Sequence, residues 1–198
     1  MVFMMILLLS NAITAQEGKE ENIPQMQTLV LFDFSKSDKS WSNIDDTVMG
    51  GVSSSRMRVQ EGSAVFEGEV SLENNGGFAS VRSGRITREL SGYEGVRLRV
   101  KGDGKKYQFR IRTTTAYDGP SYQATFQAEK GAWVEIDLPF AGFAAAFRGR
   151  PLPDYPALDP EKIATMGFLI AEKQAGPFHL EIGWIKAYRI DDSVATEQ

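Results

Sequence analysis

The sequence contains no cysteine, which excludes disulfides, thiolate metal sites, iron–sulfur clusters and cysteine nucleophiles together. It holds one histidine, His179, so no site built on two histidines can form within one chain, and a Ser-His-Asp triad would have to use that residue. Positive charge is not in excess: 22 Lys and Arg stand against 26 Asp and Glu, for a formal net charge of −4. A mildly acidic chain offers no electrostatic footprint for phosphate backbones, so nucleic acid is not an expected partner. No apolar run reaches transmembrane length. What remains open is carboxylate chemistry, lysine chemistry, or binding alone.

The apolar run that does occur is short. Val2 to Leu9 is unbroken, and Ser10-Asn11-Ala12-Ile13-Thr14-Ala15 follows. This reads as the h-region and small-residue cleavage zone of a secretory signal over 1–15, cut after Ala15 or Ala12, although no Lys or Arg precedes the run. An exported location, periplasmic or secreted, is the expectation, with an uncleaved N-terminal anchor as the alternative. Residues 16–27 are polar and acidic, with Glu17, Glu20, Glu21 and Pro24, and read as a disordered leader. One globular domain is expected over 28–191, and a disordered tail over 192–198.

Within that domain the apolar period is two rather than 3.6. Leu29 to Phe34 opens as a mostly buried strand. Phe66, Gly68, Val70 and Leu72 then alternate with polar neighbours, as do Val96, Leu98 and Val100, and Tyr107, Phe109 and Ile111. Tyr122, Ala124 and Phe126, then Val134, Ile136 and Leu138, repeat the pattern, and Phe178, Leu180, Ile182 and Trp184 close it with Gly183 as a candidate bulge. Alternation of this kind makes half-buried antiparallel strands. Gly-rich and Asn-rich turns at 74–77, 102–104 and 118–120 separate them. The one helix start, Asp159-Pro160-Glu161, has room for a turn or two. Many strands at short spacing predict an all-β jelly-roll sandwich.

The stretch Trp41-Ser42-Asn43-Ile44-Asp45-Asp46-Thr47-Val48-Met49-Gly50-Gly51-Val52-Ser53 is distinctive. With Phe66-Glu67-Gly68, the block from Glu73 to Arg82, Leu98 to Gly104, and Tyr122 to Phe126, it resembles the signature of the complex I intermediate-associated protein 30 family. Leu138-Pro139-Phe140, Phe147 to Arg150, and Lys173 to Phe178 continue the similarity in family order over about residues 29 to 190. The resemblance implies a galactose-binding-like jelly roll, in a superfamily that also holds many carbohydrate-binding modules, and a non-catalytic assembly factor for respiratory complex I. The N-terminus departs from the family in looking secretory rather than mitochondrial.

Two regions have the polar density of a site. In the signature loop, Asp45 and Asp46 offer oxygen to a hard cation, but adjacent carboxylates lack the alternating spacing of a calcium loop. Trp41, Asn43, Asp45, Asp46, Met49, Gly50, Gly51 and Ser53 are therefore read as structural, with Asn74, Asn75, Gly76 and Gly77 as a tight turn. No metal and no cofactor is expected. The second region is the polar side of the strands: Arg97, Arg99, Arg110, Arg112, Gln123, Thr125 and Gln127 make one patch if these strands share a sheet, and Ser80 and Arg82 could join it. Guanidinium and amide groups hydrogen-bond sugar hydroxyls, carboxylates or the polar rim of a partner.

Three further features are read as structural. His179 beside Glu181 is a surface residue rather than a base. Trp41, Trp133 and Trp184 could stack on sugars but are read as core or end-capping residues, and the Phe140, Phe143 and Phe147 segment could anchor a partner but is read as a loop buried over an end of the sandwich. The expected function is a non-enzymatic, assembly- or chaperone-like protein that binds a protein partner. A carbohydrate-binding module at the cell envelope is the alternative. A carboxylate glycosidase is a third, since acids are plentiful but nothing in their order picks a pair.

Overall fold

The computed structural model describes residues 25–35 and 40–191. The expected signal and most of the expected leader lie outside the described residues, as does the tail. In chain order the strands are β1 (Gln25–Phe32), β2 (Ser42–Asn43), β3 (Ser54–Gln60), β4 (Ser63–Val70), β5 (Ala79–Arg82) and β6 (Gly95–Lys101). They continue with β7 (Lys106–Arg112), β8 (Ser121–Gln127), β9 (Trp133–Pro139), β10 (Ala144–Phe147), β11 (Arg150–Pro151), β12 (Thr165–Ile170) and β13 (Gly176–Asp191). Asp159-Pro160-Glu161 opens a single 3-10 turn, Pro160–Lys162, with the Asp159 carboxylate accepting from the Glu161 amide.

The strands form two antiparallel sheets. The first runs β3-β4-β13-β6-β9, with β1 against the far half of β13, and the second runs β11-β10-β8-β7-β12-β5-β2. Phe66, Leu98, Leu180, Ile182 and Ile185 from the first sheet meet Tyr107, Phe109, Ile111, Phe168 and Ile170 from the second, all fully buried. Two faced sheets with this core make a jelly-roll sandwich.

Three differences from the sequence reading have local causes. Strand β1 begins at Gln25, inside the stretch read as leader, because Gln25 to Gln27 pair with Asp191 to Arg189 and the Gln27 amide donates to Asp191 at 2.6 Å. The register of β13 against β6 slips between Ile182 and Trp184. That bulge at Gly183 reverses the alternation, so Ile185 and Ala187 are buried while Trp184 sits partly exposed, with the Lys186 ammonium 4.2 Å over its ring. Trp133 is likewise outside the core, 38% exposed beneath Arg99 and Lys101. Trp41 alone of the three packs inward, against Phe32 and Phe168. Phe140 and Phe143 are buried over the end of the sandwich, while Phe147 is half-exposed.

Candidate binding face

Alternation places a side chain above or below its strand, and the sheet order decides which strands share a face. Strands β5, β12, β7 and β8 are adjacent in the second sheet, in that order. Arg82 on β5 is in register with Gly167 on β12, and Gly167 with Arg110 on β7. Arg110 in turn pairs with Gln123 on β8, and Gln108 pairs with Thr125. Because Val81, Phe109, Ile111 and Tyr122 face the core, their neighbours Arg82, Gln108, Arg110, Arg112 and Gln123 form the outer face. They floor a groove of about 660 Å³. Thr125 is exposed on the same face but lies beyond the groove.

Arg97 and Arg99 do not belong to this patch. They lie on β6 in the first sheet, and there the charges are paired. Arg97 makes a two-pronged contact with Asp137 at 2.5 and 2.7 Å and approaches Glu135 at 3.7 Å, while Arg99 covers Trp133. The same face carries His179 between Glu67 at 3.2 Å and Glu181 at 3.4 Å, and Glu67 also binds Arg56 and Arg58.

The second sheet's floor differs in that its arginines bond neutral groups. Arg82 donates to the carbonyls of Ala116 at 3.3 Å and Tyr117 at 3.1 Å, and Arg112 to that of Gly119 at 2.8 Å, so the two hold the 116–119 loop at the rim. Arg110 donates to the Gln123 side-chain carbonyl at 3.1 Å. None of the three forms an ion pair among the described residues. Asp118, the acid whose charge reaches Arg82 and Arg112, is bonded to Arg148 at 2.6 Å. Burial, then repulsion from Arg112 and Arg82, pushes the Arg110 guanidinium down to about 10, and burial with the Arg82 charge does the same to Arg112. Both remain cationic at neutral pH. Three polar atoms of this face, Arg110 Nε, Gln108 Oε1 and Thr165 Oγ1, are buried without a hydrogen-bond partner among the described residues. Such atoms are uncommon in folded proteins, because an unmet buried donor or acceptor carries a desolvation cost.

The rim comes from the signature loop and from 116–119. Val48, Met49 and Tyr117 are 55, 60 and 67% exposed. Tyr117 is held there by Arg82, and the loop carrying Val48 and Met49 by the two carboxylates of the signature. Asp46 is fully buried and accepts from the Ser53 amide at 2.9 Å, the Ser53 hydroxyl at 2.5 Å, and the amides of Gly77 at 2.7 Å and Phe78 at 3.3 Å. Burial alone would raise its pKa, but these hydrogen bonds outweigh it and hold the carboxyl below the usual range. Asp45 accepts from the amide and hydroxyl of Ser55 at 2.8 and 2.6 Å and from the Ser80 amide at 3.1 Å. Asn43 donates to the Ser55 carbonyl. The glycines follow from the same carboxylate: a Cβ at Gly51 would strike the Asp46 side chain, and one at Gly76 would lie 2.5 Å from its Oδ2. Gly50, the C-cap of the 3-10 turn Asp46–Met49, is left-handed, as are Asn74 and Asn75. The described residues include no cluster of three or more acids and histidines suited to a metal ion.

Two sites, then, were separable by sequence only in part. Gln108 and the rim residues Val48 and Tyr117, which line the groove, were not among the candidates read from the sequence. Gln108 had a signal, since it shares the period-two phase of Arg110 and Arg112.

The molecule is an all-β jelly-roll sandwich with an open polar face on one sheet. The family model described as Complex I intermediate-associated protein 30 (CIA30) matches residues 30–182, and the chain belongs to that family. The mouse protein named "Complex I intermediate-associated protein 30, mitochondrial" is 28% identical over 195 residues, covering 87% of this chain and 59% of its own length. Its Drosophila melanogaster namesake is 26% identical over 184 residues, covering 80% of this chain and 62% of its own length. The chain thus spans less than two thirds of the length of these relatives. Among solved structures, a family 11 carbohydrate-binding module from Clostridium thermocellum, in complex with a β-1,3-1,4-mixed-linked tetrasaccharide, superposes with a TM-score of 0.62 at 18% identity. The match covers 81% of this chain and 94% of that one, and shows the shared fold. The exported location read from Val2 to Leu9 is overturned by the relatives, whose names place them in mitochondria. The apolar run behind that reading lies outside the described residues. Among the described residues no helix is long and apolar enough to cross a membrane.

Proposed function

We propose that this chain is a non-catalytic binding protein of the assembly-factor kind, and that it engages a protein partner related to complex I assembly through the outer face of its second sheet. The observation that carries the reading is the floor of Arg82, Arg110 and Arg112. Three guanidinium groups converge there, bonded to neutral groups, beside buried polar atoms that lack partners. Carboxylates and carbonyls across an interface would accept from the guanidinium groups, and the exposed Val48, Met49 and Tyr117 would supply the apolar contacts a protein interface needs. The family's named members support the class of partner. Two acids line this groove, Asp118 and Glu172, and Asp118 is held in an ion pair by Arg148 at 2.6 Å, which favours binding over hydrolysis by two free carboxylates.

A second reading is a glycan-binding module. It is supported by the amides and hydroxyls of Gln108, Gln123, Ser80 and Ser121 in the groove, with Tyr117 at its edge as a stacking surface. The two readings part in one experiment. Purified chain and its Arg110→Gln/Arg112→Gln double variant are presented to solubilised complex I assembly intermediates and, in parallel, to a glycan array. Capture of intermediates by wild type, reduced more than tenfold in the double variant, is the expected result. Binding to neutral glycans without capture of any intermediate would replace the leading reading with the second.

A further inference from the structure

We propose that the groove on the second sheet receives the carboxylates of an extended acidic peptide segment of the partner, with acids at every second residue. This rests on the protein-partner reading above and names the chemistry that the face selects. The first argument is charge. Arg82, Arg110 and Arg112 repel one another across a partly buried floor, and the acid nearest them in field, Asp118, is committed to Arg148. Neutral hydroxyls would cover these cations without compensating the loss of water, whereas carboxylates accept from a guanidinium fork with two parallel bonds.

The second argument is spacing. Arg110 and Arg112 are alternate residues of one strand, so their side chains rise about 7 Å apart on the same face. An extended peptide lying along that strand repeats its own side chains at the same interval. Acids at alternate positions therefore meet the arginines in register, while acids at adjacent positions would point to opposite sides. Arg82 widens the site sideways: it sits two strands from Arg110, and the residue in register between them is Gly167, which has no side chain to fill the gap.

The third argument is the rim. A free anion would occupy the floor and leave Val48, Met49 and Tyr117 exposed, whereas a peptide carries side chains that reach them. Arg110 Nε, buried without a hydrogen-bond partner among the described residues, adds to the unmet donor character of the floor.

The test uses the whole chain and two blocked, fluorescently labelled hexapeptides, one alternating glutamate with leucine and one alternating glutamine with leucine, with binding read by anisotropy. The expected result is that wild type binds the glutamate peptide at least tenfold more tightly than the glutamine peptide, and that this preference shrinks as salt is raised. Arg110→Gln/Arg112→Gln is expected to abolish the preference, and Arg97→Gln/Arg99→Gln, on the other sheet, to retain it. The wild-type comparison needs no variant to fold. Equal affinity for the two peptides overturns the proposal. So does binding of inorganic phosphate, or of phosphatidylglycerol vesicles, by a chain that shows no preference for the glutamate peptide. If assembly intermediates are captured while the peptides bind alike, the acidic segment is wrong and the partner reading stands. If the glutamate peptide is preferred and no intermediate is captured, the site's chemistry stands and the complex I reading fails.

Discussion

Asp46 closes two loops with one side chain. Its oxygens accept from Ser53 on one side and from Gly77 and Phe78 on the other, so the signature loop and the 74–77 turn share a single buried anchor. The motif's composition follows: glycine at 51 and 76 because the carboxylate occupies the space a Cβ would need, and serine at 53 because a hydroxyl and an amide both reach it. Replacing Asp46 by alanine leaves several donors unmet in the interior and is expected to cost on the order of 3 kcal/mol, checked by chemical denaturation. The pH dependence has a definite sign. The folded pKa lies below the ordinary 3.8, so the unfolded chain binds more protons below that value. Stability from Asp46 is complete above pH 3.8 and is lost as pH falls through the depressed folded value. Asp46→Asn is expected to be less stable at neutral pH and to show a flatter acid limb than wild type. An unchanged limb would mean that the carboxylate is not held this way. At this scale the sequence was legible in kind: Asp, Asn and Gly at 43–51 and 74–77 announce backbone bracing. That one aspartate serves both loops could not be read, because they are distant in sequence.

Among the elements, those with clean alternation were readable and those buried on both sides were not. Strand β12 is buried at all six residues, wedged between β5 and β7, so it shows no period at all. Strand β5 is four residues long, too short for a pattern. In β13 the bulge was visible as Gly183, but its consequence, a reversed phase that sends Trp184 outward and Ile185 inward, depends on the register with β6. The same limit governs the site. Period two assigned Arg110 and Arg112 to one face correctly in phase, yet placed Arg97 and Arg99 with them because alternation reports a side of a strand and not a sheet. For β7 a stability prediction follows. Below pH 10 both arginines are charged folded and unfolded, and the folded state carries the full cost of their burial and repulsion; the cost is relieved only as pH rises through about 10. Arg110→Gln/Arg112→Gln sheds that cost but loses the bonds to Gln123 and Gly119, and is expected to lie within about 1 kcal/mol of wild type at neutral pH, in thermal or denaturant unfolding. Loss of cooperative unfolding would show that the two side chains, Arg112 through Gly119 above all, are structural.

At the scale of the whole molecule the sandwich has two unlike outer faces. On the first sheet, charges are matched in pairs and cations cap the indoles: Arg97 with Asp137, Lys101 with Glu181, and Lys186 over Trp184. On the second, arginines stand over neutral groups with an apolar rim beside them. That imbalance is the observation on which the proposed partner face rests. The second face, and not the first, is expected to be covered when the partner binds. Hydroxyl-radical footprinting of the chain, free and bound to a captured complex I assembly intermediate, reads both faces at once, since Met49 and Tyr117 report on the second and Trp133 and Trp184 on the first. Met49 and Tyr117 are expected to be protected on binding while Trp133 and Trp184 oxidise as in the free chain; protection of the two tryptophans with Met49 and Tyr117 unchanged would place the partner on the first face instead.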